Sequence, residues 1–372
     1  MLVAILFFTA VFPLAPASEE GAGATASRDR VNWSNSSIGL PISGDYYGIA
    51  LGDINKDGNA DIAATNSGNW LRVYLGDGAG CWTAIAPQPP NGGGGDLRIG
   101  DIDGDGDMDI VTGSSSSTNG CHIFANNGAT VFTEVTQTGL PTTGNWRGIA
   151  LGDVNKDGRL DIAATNGYSG SNGLHVYTQN STGKFADNSS GLPVTGERDS
   201  GVVLVDFSND GNLDVACGGA AGSVICFLGN GGAGGTMTWT NSSTGLPAGR
   251  WTGINASDID NDGSMDIVMS SYGAGQGLRA YRNVNNAASW TSWSTGLPTS
   301  NHYTDVTSAD FDADGYVDIA AGRIAGNGLV VYYGNGTGTW AVNNTGLPQT
   351  ISYCSIDAGD FSNDGGIDMV LA

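Results

Sequence analysis

The chain has 372 residues, with 37 acids against 14 Lys plus Arg and a formal charge of −23. That balance excludes the basic footprint of a nucleic-acid or anionic-membrane binder. Its 61 glycines follow no Gly-X-Y period and lie between apolar segments, so they argue for many tight turns rather than for disorder or collagen.

In chain order, the first segment is "MLVAILFFTAVFPLAPAS", an apolar run ending in Ala-Pro-Ala with no Lys or Arg ahead of it. It is shorter than the roughly 20 apolar residues of a membrane span. Residues 1–17 are read as an export signal and 18–30 as a flexible linker. No later segment is apolar enough to span a bilayer, so no membrane insertion is expected once the signal is removed. Eight Asn-X-Ser/Thr sequons fit an exported surface but carry little weight in a chain so rich in Asn, Ser and Thr.

Residues 31–372 repeat themselves. An acidic nonapeptide recurs as "DINKDGNAD" at Asp53, "DIDGDGDMD" at Asp101, "DVNKDGRLD" at Asp153, "DFSNDGNLD" at Asp206, "DIDNDGSMD" at Asp258, "DFDADGYVD" at Asp310 and "DFSNDGGID" at Asp360. The intervals are 48, 52, 53, 52, 52 and 50 residues. Each unit reads as four short strands: an apolar run entering the acidic loop, a second leaving it, an alternating third, and a fourth before Gly-Leu-Pro. Trp33, Phe185, Trp239, Trp290 and Trp340 stand six residues before that tripeptide and are read as packing between neighbouring sheets. Four-strand units of about 50 residues are the signature of propeller blades. The predicted fold is therefore all-β, a seven-bladed β-propeller with a calcium loop in each blade and an incomplete last blade. The last unit stops after its second strand, and the segment around Trp33 supplies a fourth. The missing third strand would come from Ser18 to Arg30 or from natural sequence beyond Ala372, and the second is favoured.

Positions 1, 3, 5 and 9 of each nonapeptide are oxygen donors, and position 6 is always Gly. Alternate donors on a tight loop converge, and glycine permits the positive φ the turn needs. Carboxylates about 5 Å apart at an effective dielectric near 20 repel by roughly 3 kcal/mol per pair, and a divalent ion removes that cost. Oxygen donors without His or Cys select calcium. An EF-hand needs Glu at position 12, where this chain has Ala64, Thr112, Ala164, Cys217, Met269, Ala321 and Leu371, so each loop is a hairpin tip instead.

These motifs resemble the FG-GAP or VCBS repeats of the integrin α-subunit N-terminal propeller and its microbial relatives, over residues 31–372. The resemblance implies that the loops join the first two strands of each blade on one face and hold up to seven calcium ions. The implied ligands are Asp53, Asn55, Asp57 and Asp61, then Asp101, Asp103, Asp105 and Asp109, then Asp153, Asn155, Asp157 and Asp161. They continue as Asp206, Ser208, Asp210 and Asp214, and as Asp258, Asp260, Asp262 and Asp266. Asp310, Asp312, Asp314 and Asp318, with Asp360, Ser362, Asp364 and Asp368, complete the set. Ser208 and Ser362 depart from the usual Asp or Asn at position 3. The ligand positions hold 24 of the 37 acids. The strings ahead of the loops, such as "YYGIALGD", place the chain nearer the microbial branch.

No catalytic constellation breaks the repeat. His122 and His175 occupy equivalent places on a solvated strand face, and His302 lies before a first strand without a nucleophile beside it. Seven residues before the loop stand Tyr46, Trp146, Trp251, Tyr303 and Tyr353, with Arg250 and His302 preceding two of them. They are read either as aromatics plugging the channel mouth or as a ligand platform on the face opposite the loops. Cys217 and Cys226 would face each other across a hairpin centred on Ala221 and Gly222, allowing a disulfide in an exported protein, or are small buried residues. The expected function is a secreted or cell-surface, non-enzymatic binding or adhesion module for an extracellular protein or glycan. The alternatives are a carbohydrate-binding, lectin-like propeller and the non-catalytic part of a larger extracellular enzyme such as a polysaccharide lyase.

Overall fold

The computed structural model describes residues 6–11, 32–41, 46–66, 68, 70–136, 138–167, 173–196, 198, 200–219, 222–272, 276–323, 328–350 and 355–372. Six four-stranded antiparallel sheets are each built from four consecutive strands. In the third, Trp146–Gly152, Asp161–Asn166, Leu174–Gln179 and Phe185–Asp187 pair in that order. The first strands stand side by side around a central channel, so each sheet is one blade of a propeller. No helix among the described residues is long and apolar enough to cross a membrane.

The expectation of seven equivalent blades is corrected here. The repeat builds six blades. The last acidic loop belongs to a composite sheet drawn from both ends of the chain, in the order Asn32–Asn35, Leu6–Val11, Asp368–Leu371, Ile356–Gly359. Its first strand lies between those of the sixth and first blades. The third place, expected to be vacant in this chain, is held by Leu6–Val11, which lies inside the apolar run read as a signal. Phe7 pairs with Val370 and Ala10 with Trp33. The linker 18–30 lies outside the described residues.

Blades meet through two devices. Second- and third-strand aliphatics such as Ile162, Val215, Ile267 and Val331 are fully buried between sheets. The Gly-Leu-Pro glycines press against the backbone of the next fourth strand: a Cβ on Gly245 would fall 2.1 Å from the Trp290 carbonyl oxygen, and one on Gly346 2.6 Å from that of Trp33. Both glycines have positive φ, +98° and +84°. The aromatics six residues before the tripeptide are buried as expected, and three of the indoles tie back to the preceding sheet: Trp239 Nε1 donates to Asn188 O at 3.0 Å, Trp290 Nε1 to Ser242 O at 2.8 Å and Trp340 Nε1 to Trp293 O at 2.8 Å.

The hairpin register decides the cysteine question. Cys217 pairs with Ile225 and Ala216 with Cys226, so the register is one residue off the pairing that would set the two cysteines opposite each other. Adjacent register places put the two side chains on opposite faces, in different core clusters. Both thiols are free and buried, as are the hydrophobic neighbours they resemble. Cys354 lies outside the described residues.

Candidate metal loops and channel mouth

Six of the seven acidic nonapeptides share one hydrogen-bond pattern; in the second, Gly104 N takes the place of the position-5 amide at Asp101 Oδ1, at 2.8 Å. The position-1 Asp accepts two backbone amides: in the third loop Asp157 N donates to Asp153 Oδ1 at 3.0 Å and Gly158 N to Oδ2 at 2.8 Å, and the last loop repeats this at 3.2 and 3.0 Å. The position-6 glycines have φ between +82° and +88°, as the sequence requires. Among the described residues, carboxylate oxygens of Asp101, Asp103 and Asp109, of Asp258, Asp260 and Asp262, and of Asp310, Asp312 and Asp318 lie within 4.8 Å of one another. The hydroxyl oxygen of Ser362, at position 3 of the last loop, is buried with no hydrogen-bond partner among the described residues. Converging hard oxygens and an orphaned position-3 oxygen fit a hard divalent cation. The residues that could hold it are those at positions 1, 3, 5 and 9.

Position 9 also does a structural job that the ligand reading leaves out. Asp161 is fully buried; its Oδ2 accepts from Val154 N at 3.0 Å and its Oδ1 from Gln179 N at 2.7 Å. It thereby fastens the loop to the third strand while a carboxylate lone pair remains for an ion. Burial pushes the position-9 carboxyls up, to about 6 at Asp61, Asp109, Asp161 and Asp214, about 7 at Asp266 and about 8 at Asp318. A nearby cation would favour their charged form.

Two positions escaped sequence reasoning. Position 2 is apolar in every copy, and Ile54, Val154, Phe207 and Phe311 are buried between blades. Its carbonyl receives a side-chain amide from the next blade: Gln179 Nε2 reaches Ile102 O at 2.8 Å and Asn283 Nδ2 reaches Phe207 O at 2.7 Å. Position 4 is left-handed in all seven loops, from Lys56 at φ 61° to Asn363 at 54°, with Gly104 at 78°. Where position 4 is Lys or Asn, that conformation aims the side chain at the next loop. Lys56 pairs with Asp107 at 2.5 Å, Asn261 Nδ2 donates to Gly315 O at 2.8 Å, and Asn363 Nδ2 to Asn59 Oδ1 at 2.9 Å across the ends of the chain. The signal was there in the Lys and Asn at position 4, which point at nothing within their own loop.

At the opposite ends of the first strands the channel opens into a cavity of about 1250 Å³. Here the predicted aromatics are corrected. Tyr46, Trp146, Trp251 and Tyr303 are buried and present no platform; Tyr353 lies outside the described residues. They pack on their own blade: Trp146 meets Tyr177 edge-on at 6.1 Å, and the Tyr303 and Tyr332 hydroxyls are 3.5 Å apart. The cause is a register shift between Tyr46 and Gly48 and between Trp146 and Gly148. Such a bulge re-aims side chains, turning the aromatic inward and presenting Tyr47, 44% exposed, and Arg147 at the mouth instead. Arg250 also lines the cavity and lies 5.2 Å over the ring of Tyr272, which is 43% exposed. His302 stands beside the same ring at 6.0 Å, with Nδ1 against the Tyr272 carbonyl oxygen. The clue to Tyr272 was a lone aromatic in the Gly-rich "SSYGAGQG".

Deeper in the channel Arg98 stands among three carboxylates. Its Nη1 is 2.7 Å from Asp96 Oδ1, and Asp305 and Asp357 lie within its field. Asp305 also accepts Ile356 N at 3.2 Å, and Asp96 accepts Ile149 N at 3.1 Å, each clipping its strand to the next blade. Burial pushes both Asp305 and Asp357 up to about 6. His122 and His175 are partly covered strand residues paired with Glu134 at 2.7 Å and Asp187 at 2.8 Å, with no nucleophile between them.

No curated protein matches the chain. Among solved structures, BBS1N in complex with ARL6DN, soaked with mercury, superposes with a TM-score of 0.53 at 10% identity, covering 90% of this chain and 93% of that one. A lead-soaked crystal of the same complex gives 0.49 at 9% identity, covering 87% and 92%, and carries no argument. The first likeness shows the fold alone. A model of the FG-GAP-like repeat matches residues 53–112, 101–164, 162–217, 206–269, 258–321 and 310–371, six repeats rather than seven. Over most of its length, from the first acidic loop to the last strand, this chain belongs to the FG-GAP-like repeat family.

Proposed function

We propose that this propeller is an exported, calcium-stabilised binding module, with the acidic loops holding ions on one face and the channel mouth receiving a protein or glycan ligand on the other. The observation that carries this reading is the contrast between the faces. One repeats a single all-oxygen loop; the other breaks the repeat with Tyr47, Arg147, Arg250 and Tyr272 around an open cavity. Positions 1, 3, 5 and 9 would hold calcium, which supplies the positive charge that the clustered carboxylates otherwise lack.

At the mouth, exposed tyrosine rings offer stacking faces and arginines offer paired donors for carboxylate or hydroxyl groups. A propeller of this fold, BBS1N, is in complex with a protein, ARL6DN, which supports a protein ligand. The exposed Tyr47 and Tyr272 support a sugar equally. A glycan and matrix-protein binding screen, run with calcium and with chelator, separates the two. Binding lost in Tyr47→Ala and Tyr272→Ala places the ligand at the mouth. Binding unaffected by both removes the mouth from the reading.

Export rests on the apolar run ending in Ala-Pro-Ala. Removing that run would also remove Leu6–Val11 from the composite sheet, so leader and strand are exclusive roles. N-terminal sequencing of secreted protein decides between them: a start after Ala17 assigns a leader, and a start at the apolar run assigns a strand.

A further inference from the structure

The third strand of each blade passes beside that blade's acidic loop. The residue following the partner of the first aliphatic after the loop is Leu75, Ala125, Thr178, Leu228, Arg282 or Tyr333 in blades one to six. The fifth blade alone places a cation there. Arg282 Nε is 2.5 Å from Asp260 Oδ2 and its Nη2 is 2.7 Å from Asp262 Oδ2. One guanidinium therefore straps together positions 3 and 5 of the loop.

The strap alters how the carboxylates converge. In the two other loops with Asp at positions 1, 3, 5 and 9, the oxygens that gather come from positions 1, 3 and 9: Asp101, Asp103 and Asp109, and Asp310, Asp312 and Asp318. In the fifth loop they come from positions 1, 3 and 5, Asp258, Asp260 and Asp262. Asp266, at position 9, accepts Ile259 N at 2.9 Å and Asn283 N at 2.7 Å, the equivalents of the two amides that Asp109 and Asp318 accept in their loops, so the difference lies at position 5, where the guanidinium sits.

Arg282 is also held in place from behind. Its guanidinium carbon lies 4.8 Å over the ring of Trp293. That ring sits directly on Gly338 of the sixth blade, where a Cβ would fall 1.0 Å from Trp293 Cδ1. Trp340 Nε1 donates to Trp293 O at 2.8 Å, and Thr295 N donates to Gly338 O at 3.1 Å. The cation is thus stacked on a surface fixed by the neighbouring blade, a cation–π arrangement that favours this position of the side chain.

We propose that Arg282 is a built-in counter-cation of the fifth loop, competing with a divalent ion for Asp260 and Asp262, so that this loop binds calcium more weakly than the loops at Asp101 and Asp310. The inference rests on the calcium reading of the loops. Loading the fifth loop requires the guanidinium to leave two carboxylates, and the ion must meet that cost, whereas the other two all-Asp loops carry no internal arginine.

Calorimetric titration of calcium into chelator-stripped protein tests it with Arg282→Gln, and with Arg282→Met, which keeps an apolar stem over Trp293. One site should tighten by roughly tenfold or more in both variants, since affinity follows the charge within the cage. Adding Asp258→Asn to either variant should abolish the gain, which assigns it to this loop. Asp105→Asn, in an unstrapped loop, is the control for the calcium reading. If Asp105→Asn deletes one ion while both Arg282 variants titrate like the parent, the competition is overturned and the calcium reading stands. If no protein binds calcium, both fall.

Discussion

The two ends of the first strands obey different rules. Where those strands end, seven acidic loops share the same glycine at φ between +82° and +88° and a position-1 Asp that accepts two loop amides, and the Lys or Asn at position 4 of five of them reaches the next loop. Where they begin, equivalent places hold Tyr47, Arg147, Thr252 and Thr304, and the cavity they line follows no repeat. Uniformity on one face is what a closure device needs, because each loop must meet its neighbour in the same way. Variety on the other is what recognition needs, because a ligand reads only one constellation.

Substitutions on the loop face should therefore cost stability, and those at the mouth should cost binding. Asp161→Ala carries the largest expected effect. It strands two buried amides, Val154 N and Gln179 N, and should cost about 3 kcal/mol or more in denaturant unfolding. Next, Gly245→Ala puts a methyl 2.1 Å from the Trp290 carbonyl at φ +98° and should cost about 2 kcal/mol or more. Gly263→Ala, at loop position 6 with nothing within 4 Å, should cost only about 1 kcal/mol for its positive φ. If these two glycines prove equal, the seam between blades is not as tight as drawn. Asn283→Ala loses the amide reaching Phe207 O and should cost about 1–2 kcal/mol.

At the mouth the sign of the comparison reverses. Tyr47→Ala and Tyr272→Ala should leave stability within about 0.5 kcal/mol while weakening ligand binding by roughly tenfold. A stability loss without a binding loss would erase the division between faces.

The smallest expected effect is a pH dependence inside the channel. Asp305 and Asp357 are pushed up to about 6, chiefly by burial, with Asp96 adding to it at both and Arg98 opposing. Their folded values lie above the ordinary carboxylate value of about 4. Their contribution to stability is therefore present below pH about 4 and is lost as pH rises through about 6. Asp305→Asn should lessen the slope of the melting midpoint over that window, the other raised carboxyls supplying the remainder, and an unchanged slope would show that channel water already solvates the group.

Much of this was legible in the chain because oxygen donors and a glycine at fixed places have few other uses. The loops, the four-strand unit and the buried Trp239 and Trp290 follow from residue type alone. Geometry that depends on a one-residue offset was not legible. The bulge at Tyr47 and Arg147 reverses which side chain reaches the mouth, and the shifted hairpin separates Cys217 from Cys226. Alternation counts cannot detect either offset, since each moves a side chain to the other face without changing composition. The strand at Leu6–Val11 was missed for a different reason: an apolar run of that length has the same composition as an export signal or a buried strand. Arg282 was hidden because its partners lie about 20 residues away in sequence, across the hairpin that brings them together.

The most direct test of the central claim is the thermal unfolding of the intact protein in calcium, in magnesium and in chelator. The melting midpoint should fall by more than about 10 °C on chelation, an effect that several tightly held ions can supply by mass action. It should return on adding calcium and not on adding magnesium. A midpoint that is the same in calcium and in chelator would contradict the assignment of the acidic loops as the ion-held face of the propeller.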